Sequence, residues 1–297
     1  MPIPLAYCCV VLIWSTTPLA MKWSTEGVGF LFAVTSRMGI GMSVAVLVCA
    51  MTGAGLPLQR RALLTYLISG TGIYLTMLFS YWAVQFIPSG WVSVIFGLSP
   101  ILTSLLGSVF LKERLVGVTR TGALGICLAG LFIMFRHNVS ADINVAHGIV
   151  SVFAATLCYS TSLVAIKAIN AELRAVSTMT GTLVVAVTLL FLTWHLQGAQ
   201  LPDTIPVRAA AAILYLGVVG SVLGFMLFYF LLKHLEATRT ALITLMTPGC
   251  ALLLGNMLDN EPLTPAIAGG GLMVLFGLLL FEFGDGISPI LRKYANP

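Results

Sequence analysis

The chain has 297 residues, of which 59% are hydrophobic and 8% charged, with a formal net charge of +5, and its mean hydropathy is +1.02. A soluble domain of this size needs far more polar surface, so a soluble enzyme is excluded and the solvent is a lipid bilayer. The basic excess then reads as an orientation signal rather than a nucleic-acid footprint, which leaves membrane lipids and no nucleic acid among the partners.

Cutting at glycine, proline and charged clusters gives ten apolar segments in chain order: 3–22, 29–52, 62–86, 89–111, 116–136, 146–168, 176–198, 207–233, 238–259 and 264–284. Each is close to the ~20 residues that an α-helix needs to cross ~30 Å of hydrocarbon. Helices are required because lipid offers backbone polar groups no partners, and the segments are too long and too uniformly apolar for barrel strands. The first segment is apolar enough for a secretory leader, but it lacks a basic start and has an internal copy, so it reads as a retained helix. With a cytoplasmic N-terminus, the inner loops and helix ends carry Arg60, Arg61, Lys112, Arg114, Arg120, Lys167, Arg174, Lys233, Arg239, Arg292 and Lys293. The outer ones carry only Lys22, Arg136 and Arg208, so both termini are expected in the cytoplasm. Arg37 is left over, about eight residues inside the second segment.

The chain is internally duplicated. Tyr81 to Glu113 aligns without a gap on Tyr229 to Glu261, matching Ile95 with Ile243, Pro100 with Pro248, Gly107 with Gly255 and Glu113 with Glu261. Near the start of each half, Trp14-Ser15-Thr16-Thr17 with Ala20 and Lys22 falls on Tyr159-Ser160-Thr161-Ser162 with Ala165 and Lys167. Five spans is an odd number, so the second copy crosses in the opposite sense. The expected fold is an all-α membrane protein of ten transmembrane helices in two inverted five-helix repeats, 1–137 and 138–297. The small-residue stripes Thr121, Gly125, Ala129 and Gly269-Gly270-Gly271 with Gly277 suit close helix packing and also allow a homodimer.

The candidate site follows from what is expensive in a bilayer. Pro100 and Pro248 each lie inside an apolar segment, and a helix-interior proline frees the carbonyl four residues back, here those of Phe96 and Thr244. Such groups border protein or a wet cavity, which makes the prolines hinge or gating candidates; a purely structural kink is the alternative. Tyr74 and Tyr81 share a face of the third segment with Gln85, and Phe225 and Tyr229 share one in the eighth with Ser221. Trp14 and Tyr159 are repeat partners near mid-membrane. Together these rings suit a substrate that is part apolar and part polar, against the alternative of interhelical packing. Arg37 is either a dock for a substrate carboxylate or phosphate, or a carbonyl cap or partner of Glu26. Lys22 and Lys167 are expected to snorkel to their nearest surfaces.

All ten acidic residues, Glu26, Glu113, Asp142, Glu172, Asp203, Glu236, Asp259, Glu261, Glu282 and Asp285, fall in loops or near segment ends. A proton-coupled antiporter of cationic drugs built on a mid-membrane carboxylate is therefore not supported. The six cysteines and four histidines show no metal-ligand spacing, the loops leave no room for a catalytic domain, and no nucleophile and base are paired, so neither a metal, a cofactor nor an enzyme is expected.

Trp14 with Lys22 eight residues on, Arg37 early in the second helix, Pro100 in mid-helix and the Leu111–Arg114 exit, with Pro248 and Glu261 in the second half, resemble the drug/metabolite transporter superfamily. The branch is that with two EamA domains. The resemblance covers nearly the whole chain and implies ten helices in inverted repeats, moving amino acids, other small metabolites or drugs across bacterial inner or organellar membranes. The second half departs from it in having no arginine where the first has Arg37, and in having Tyr159 for Trp14. The reading is a secondary transporter that exports or exchanges small amphiphilic metabolites, amino acids or related carboxylates first, by alternating access. A lipid flippase or scramblase with a laterally open cavity is the alternative.

Overall fold

The computed structural model describes residues 2–111, 118–235 and 237–295, without the side chains of 118, 137–141, 229, 232–233, 237–241 and 285–295. Among the described residues ten helices are long and apolar enough to cross a membrane, and no strand is found. They begin with α1 (Ile3–Ser24), α2 (Phe30–Met51) and α3 (Arg60–Ala83), and the fourth span is divided into α4 (Ser89–Phe96) and α5 (Ser99–Phe110). The fifth to seventh spans are α6 (Val118–Ala141), α7 (Ile143–Ile169) and α8 (Ala175–Leu196). The eighth is α9 (Val207–Tyr215), a π-helical stretch (Leu216–Leu223) and α10 (Gly224–His234); α11 (Ala237–Asp259) and α12 (Pro265–Ala295) complete the set.

Two spans depart from a smooth helix for different reasons. At Pro100 the sequence predicts a kink within one helix, but the chain breaks: Leu98 N–H bonds to Ile95 C=O at 3.0 Å, a tightened turn. Pro100 then stands in the first turn of α5, where a missing N–H costs nothing. Pro248, its repeat partner, stays inside an unbroken α11. Its freed acceptor, the Thr244 carbonyl, takes a bond from the Thr247 hydroxyl at 3.2 Å. The break of the second half instead falls one span earlier, in the π-helical stretch, where Ser221 Oγ donates to Leu216 C=O at 2.9 Å, five residues back.

The two halves do not pack as separate bodies. α3 lies against α7 and α8, α2 against α8, α1 and α4 against α11, α5 against α7, and α6 against α12. Lipid supplies no hydrophobic drive for this, so close approach must, and glycines provide it. At Gly217 an added Cβ would lie 2.7 Å from Ile40 Cγ2 and 3.1 Å from Arg37 C=O. In the α6–α12 seam a Cβ on Gly130 would meet Gly270 C=O at 2.7 Å, whereas Gly125 and Gly269 have nothing within 4 Å. The first small-residue stripe, Thr121, Gly125 and Ala129, is exposed, while Gly270, Gly271 and Gly277 of the second are buried within the chain.

Candidate functional site

The centre of the bundle is organised around Arg37. It lies in the third turn of α2 and is 5% exposed, beneath a fully buried Tyr81 from α3. One Nη donates to Tyr81 Oη at 3.3 Å and touches Met77 Sδ at 3.9 Å, and the guanidinium carbon lies 5.8 Å from the Tyr81 ring centroid. Its Nε has no hydrogen-bond partner. The expected partner is taken: Glu26 pairs with Arg208 at 3.4 Å instead. No carboxylate pairs with Arg37 among the described residues. A guanidinium in this state has lost its water and gained one phenol, a thioether and part of a ring face, an arrangement that favours a further anion.

The eighth span brings α1 to the same place. Gly220 and Gly224, about one turn apart, lie under Thr17 and Trp14 respectively: a Cβ on Gly220 would be 3.9 Å from both Arg37 Nη2 and Thr17 Oγ1, and one on Gly224 would be 3.3 Å from Trp14 Nε1. Trp14 and Thr17, three apart on a helix, share a face. The Trp14 ring lies 4.7 Å from that of Phe228 and 6.2 Å from that of Phe225. Pro18, buried in the interior of α1, frees the carbonyl of Trp14 at this level. The result is a cation, a phenol, a hydroxyl and an aromatic wall contributed by α1, α2, α3 and the eighth span.

Other candidates fall in two further places. Phe96 and Tyr159 pack ring to ring at 5.2 Å where α4 meets α7. Close by, a Cβ on Gly97 would be 3.2 Å from Pro248 Cγ, so the break just before Pro100 lies against Pro248 of α11, the helix that also bears Thr244. Tyr74 is placed elsewhere, its hydroxyl 2.8 Å from Thr193 Oγ1 on α8. The side chain of Tyr229 and all of Glu113 lie outside the described residues. Sequence reasoning missed Thr17, Met77, Gly220, Gly224 and Phe228. Pro18, a proline inside an apolar run, was a readable pointer to α1.

At one end of the bundle the charges are arranged in the opposite manner. Lys22 Nζ does not snorkel: it lies 2.8 Å from Asp259 Oδ2 and 2.9 Å from Glu261 Oε1. Glu261, 6% exposed, also accepts from Ser89 N at 2.8 Å, Gly90 N at 3.3 Å and Ser89 Oγ at 3.1 Å, so it caps the N-terminus of α4. Asp259 Oδ1 accepts from Trp23 Nε1 and from Arg208, each at 2.8 Å. The Arg208 guanidinium stacks 4.2 Å from the Trp23 ring centroid. Anions at a helix N-terminus and doubly bonded carboxylates are the stable solutions for charge away from water.

Ten apolar spans define a multi-pass membrane protein. The model of the EamA-like transporter family matches residues 1–136 and 146–283, and the chain belongs to that family; it is a transporter of metabolites, not an enzyme. It is similar to a probable terminal-alkyne amino-acid exporter of Streptantibioticus cattleyicolor, 23% identical over 92% of this chain and 90% of that one. A probable amino-acid metabolite efflux pump of Salmonella typhimurium is 27% identical over 69% of this chain and 72% of its own. An uncharacterized transporter of Archaeoglobus fulgidus is 28% identical over 66% and 68%. A solved crystal structure shares the fold at a TM-score of 0.67 and 19% identity, covering 94% of this chain and 96% of that one.

Proposed function

We propose that the protein exports or exchanges small amphiphilic metabolites bearing a carboxylate, amino acids first among them, by alternating access between two inverted halves, 1–137 and 138–297. The observation that carries the reading is Arg37: buried, with an unbonded Nε and no carboxylate partner among the described residues. A substrate carboxylate supplies the missing charge. Tyr81 offers a hydroxyl beside it, whereas the Thr17 hydroxyl already donates to Ile13 C=O at 2.7 Å, and Trp14, Phe225 and Phe228 receive an apolar side chain. Phe96, Tyr159 and Thr244, next to Pro100 and Pro248, stand on the path, and the two prolines are the places where the spans flex; Tyr74, engaged with Thr193, is left out of the lining. The names of the Streptantibioticus and Salmonella relatives support an amino-acid class of cargo. An enclosed guanidinium fits a compact soluble anion better than a lipid headgroup trailing its chains. The setting is a bacterial inner membrane with both termini cytoplasmic, as the basic loops imply.

The test is counterflow in proteoliposomes. Vesicles preloaded with an unlabelled apolar amino acid should accumulate the labelled one, and Arg37→Met should lower the rate by about 100-fold, the scale expected when a buried charge partner is removed. Rates no faster than in protein-free liposomes across amino acids and other carboxylates, or an Arg37→Met protein that transports normally, would overturn the reading.

A further inference from the structure

We infer that Lys22, Asp259 and Glu261 form a gate: an ionic latch that seals the end of the bundle where α1 stops and α4 starts, and that must open in each transport cycle. The inference rests on the alternating-access cycle proposed above but not on the nature of the cargo.

Three observations carry it. First, the network ties the halves together at one level, joining α1 (Lys22, Trp23) and α4 (Ser89, Gly90) to α9 (Arg208) and the end of α11 (Asp259, Glu261). Second, the chain is shaped to deliver Glu261. Asn260 adopts a left-handed backbone, φ 51°, a conformation that asparagine tolerates better than most residues. This folds Glu261 back so that its N–H bonds to Gly255 C=O at 3.1 Å, while Asn256 Nδ2 holds the Glu261 carbonyl at 2.7 Å. A Cβ on Gly255 would collide with the Glu261 carboxylate. A carboxylate needed only to satisfy Lys22 at a wet surface would not require this seat. Third, burial is polarised along the fourth span: Ser89 through Ile95 are all buried, whereas in α5 only Ile101 and Gly107 are. The span is packed shut beneath the latch and loosely packed beyond the break at Gly97–Leu98.

The chemistry suits a reversible closure. The pairs are ionic and Lys22 keeps a 32% exposed side chain, so water can replace each contact as it parts. The N-terminal dipole of α4 adds to the hold on Glu261, which couples the latch to the half-span that leads inward to Phe96 and the break. Arg208, stacked on Trp23, holds Asp259 in place without itself reaching Glu261.

The experiment reads solvent access behind the latch in the full-length protein in nanodiscs. All native cysteines are replaced, and one is introduced as Ser93→Cys, one helical turn below Ser89, or as Ala186→Cys, fully buried on α8. With the latch intact, a hydrophilic maleimide should label Ser93→Cys slowly. Glu261→Gln or Lys22→Met should raise that rate at least about tenfold, the population change that a few lost contacts produce, while Lys22→Arg should leave it near the starting value. Labelling of Ala186→Cys should not change in any variant. Equal Ser93→Cys rates with and without the latch, fast labelling with the latch intact, or a parallel rise at Ala186→Cys that marks general loosening, would each overturn the gate.

Discussion

The protein holds its two best-placed cations in opposite ways. Lys22 has two carboxylates within 2.9 Å, and one of them is further held by three donors from α4. Arg37, far more buried, has one phenol at 3.3 Å and an Nε with nothing. A chain that can bury Glu261 with every lone pair occupied has the means to neutralise an arginine, and the anion that Arg37 lacks among the described residues is the one the proposed substrate carboxylate would supply. Satisfied charge fixes conformation; unsatisfied charge recruits what is missing.

Five substitutions break or sharpen that contrast. Glu261→Ala should cost the most stability, about 3 kcal/mol, because it uncaps α4 and leaves Lys22 with Asp259 alone; chemical unfolding in mild detergent, with Lys22→Met/Glu261→Ala as the double mutant, measures how much is recovered. Arg37→Met should do the reverse, abolishing most transport while leaving unfolding unchanged or shifted upward, since no ion pair is lost with it. Gly217→Val should lower stability by about 1–3 kcal/mol, as its side chain has to displace Ile40 and push the eighth span away from Arg37. Tyr81→Phe is milder: loss of one hydroxyl contact should weaken substrate binding by no more than roughly tenfold. Tyr74→Phe, whose hydroxyl is spent on Thr193, should shift stability slightly and leave transport rates as they were.

Much of the architecture was readable because the bilayer makes it one-dimensional. Apolar length alone marks out ten spans, and the structure places ten helices within a few residues of those segments. Arg37 was visible because a lone cation in an apolar run is expensive wherever it points. What escaped was set by contacts distant in sequence: Lys22 and Glu261 are 239 positions apart, and nothing local says that the lysine reaches a carboxylate rather than the membrane surface. One signal was available, since both belong to residues matched between the repeats, Lys22 with Lys167 and Glu261 with Glu113. The two prolines show the limit of symmetry. Identical in position, they give a break in one half and an unbroken helix in the other, because Gly97 and Leu98 tighten the turn before Pro100 while Thr247 repairs the ladder beside Pro248. The π-helical stretch has no composition cue beyond its glycines.

That stretch has a mechanical meaning. A π-turn stores surplus backbone inside a continuous rod, and each residue of surplus taken up by α-helical winding swivels everything beyond it by about 100°. The eighth span thus carries its own bearing at the level of Arg37, and Phe225 and Phe228 ride on the rotating side of it. Rewinding Leu216–Leu223 would sweep both rings away from the Trp14 indole, with an axial shift of only ~1.5 Å for each residue taken up.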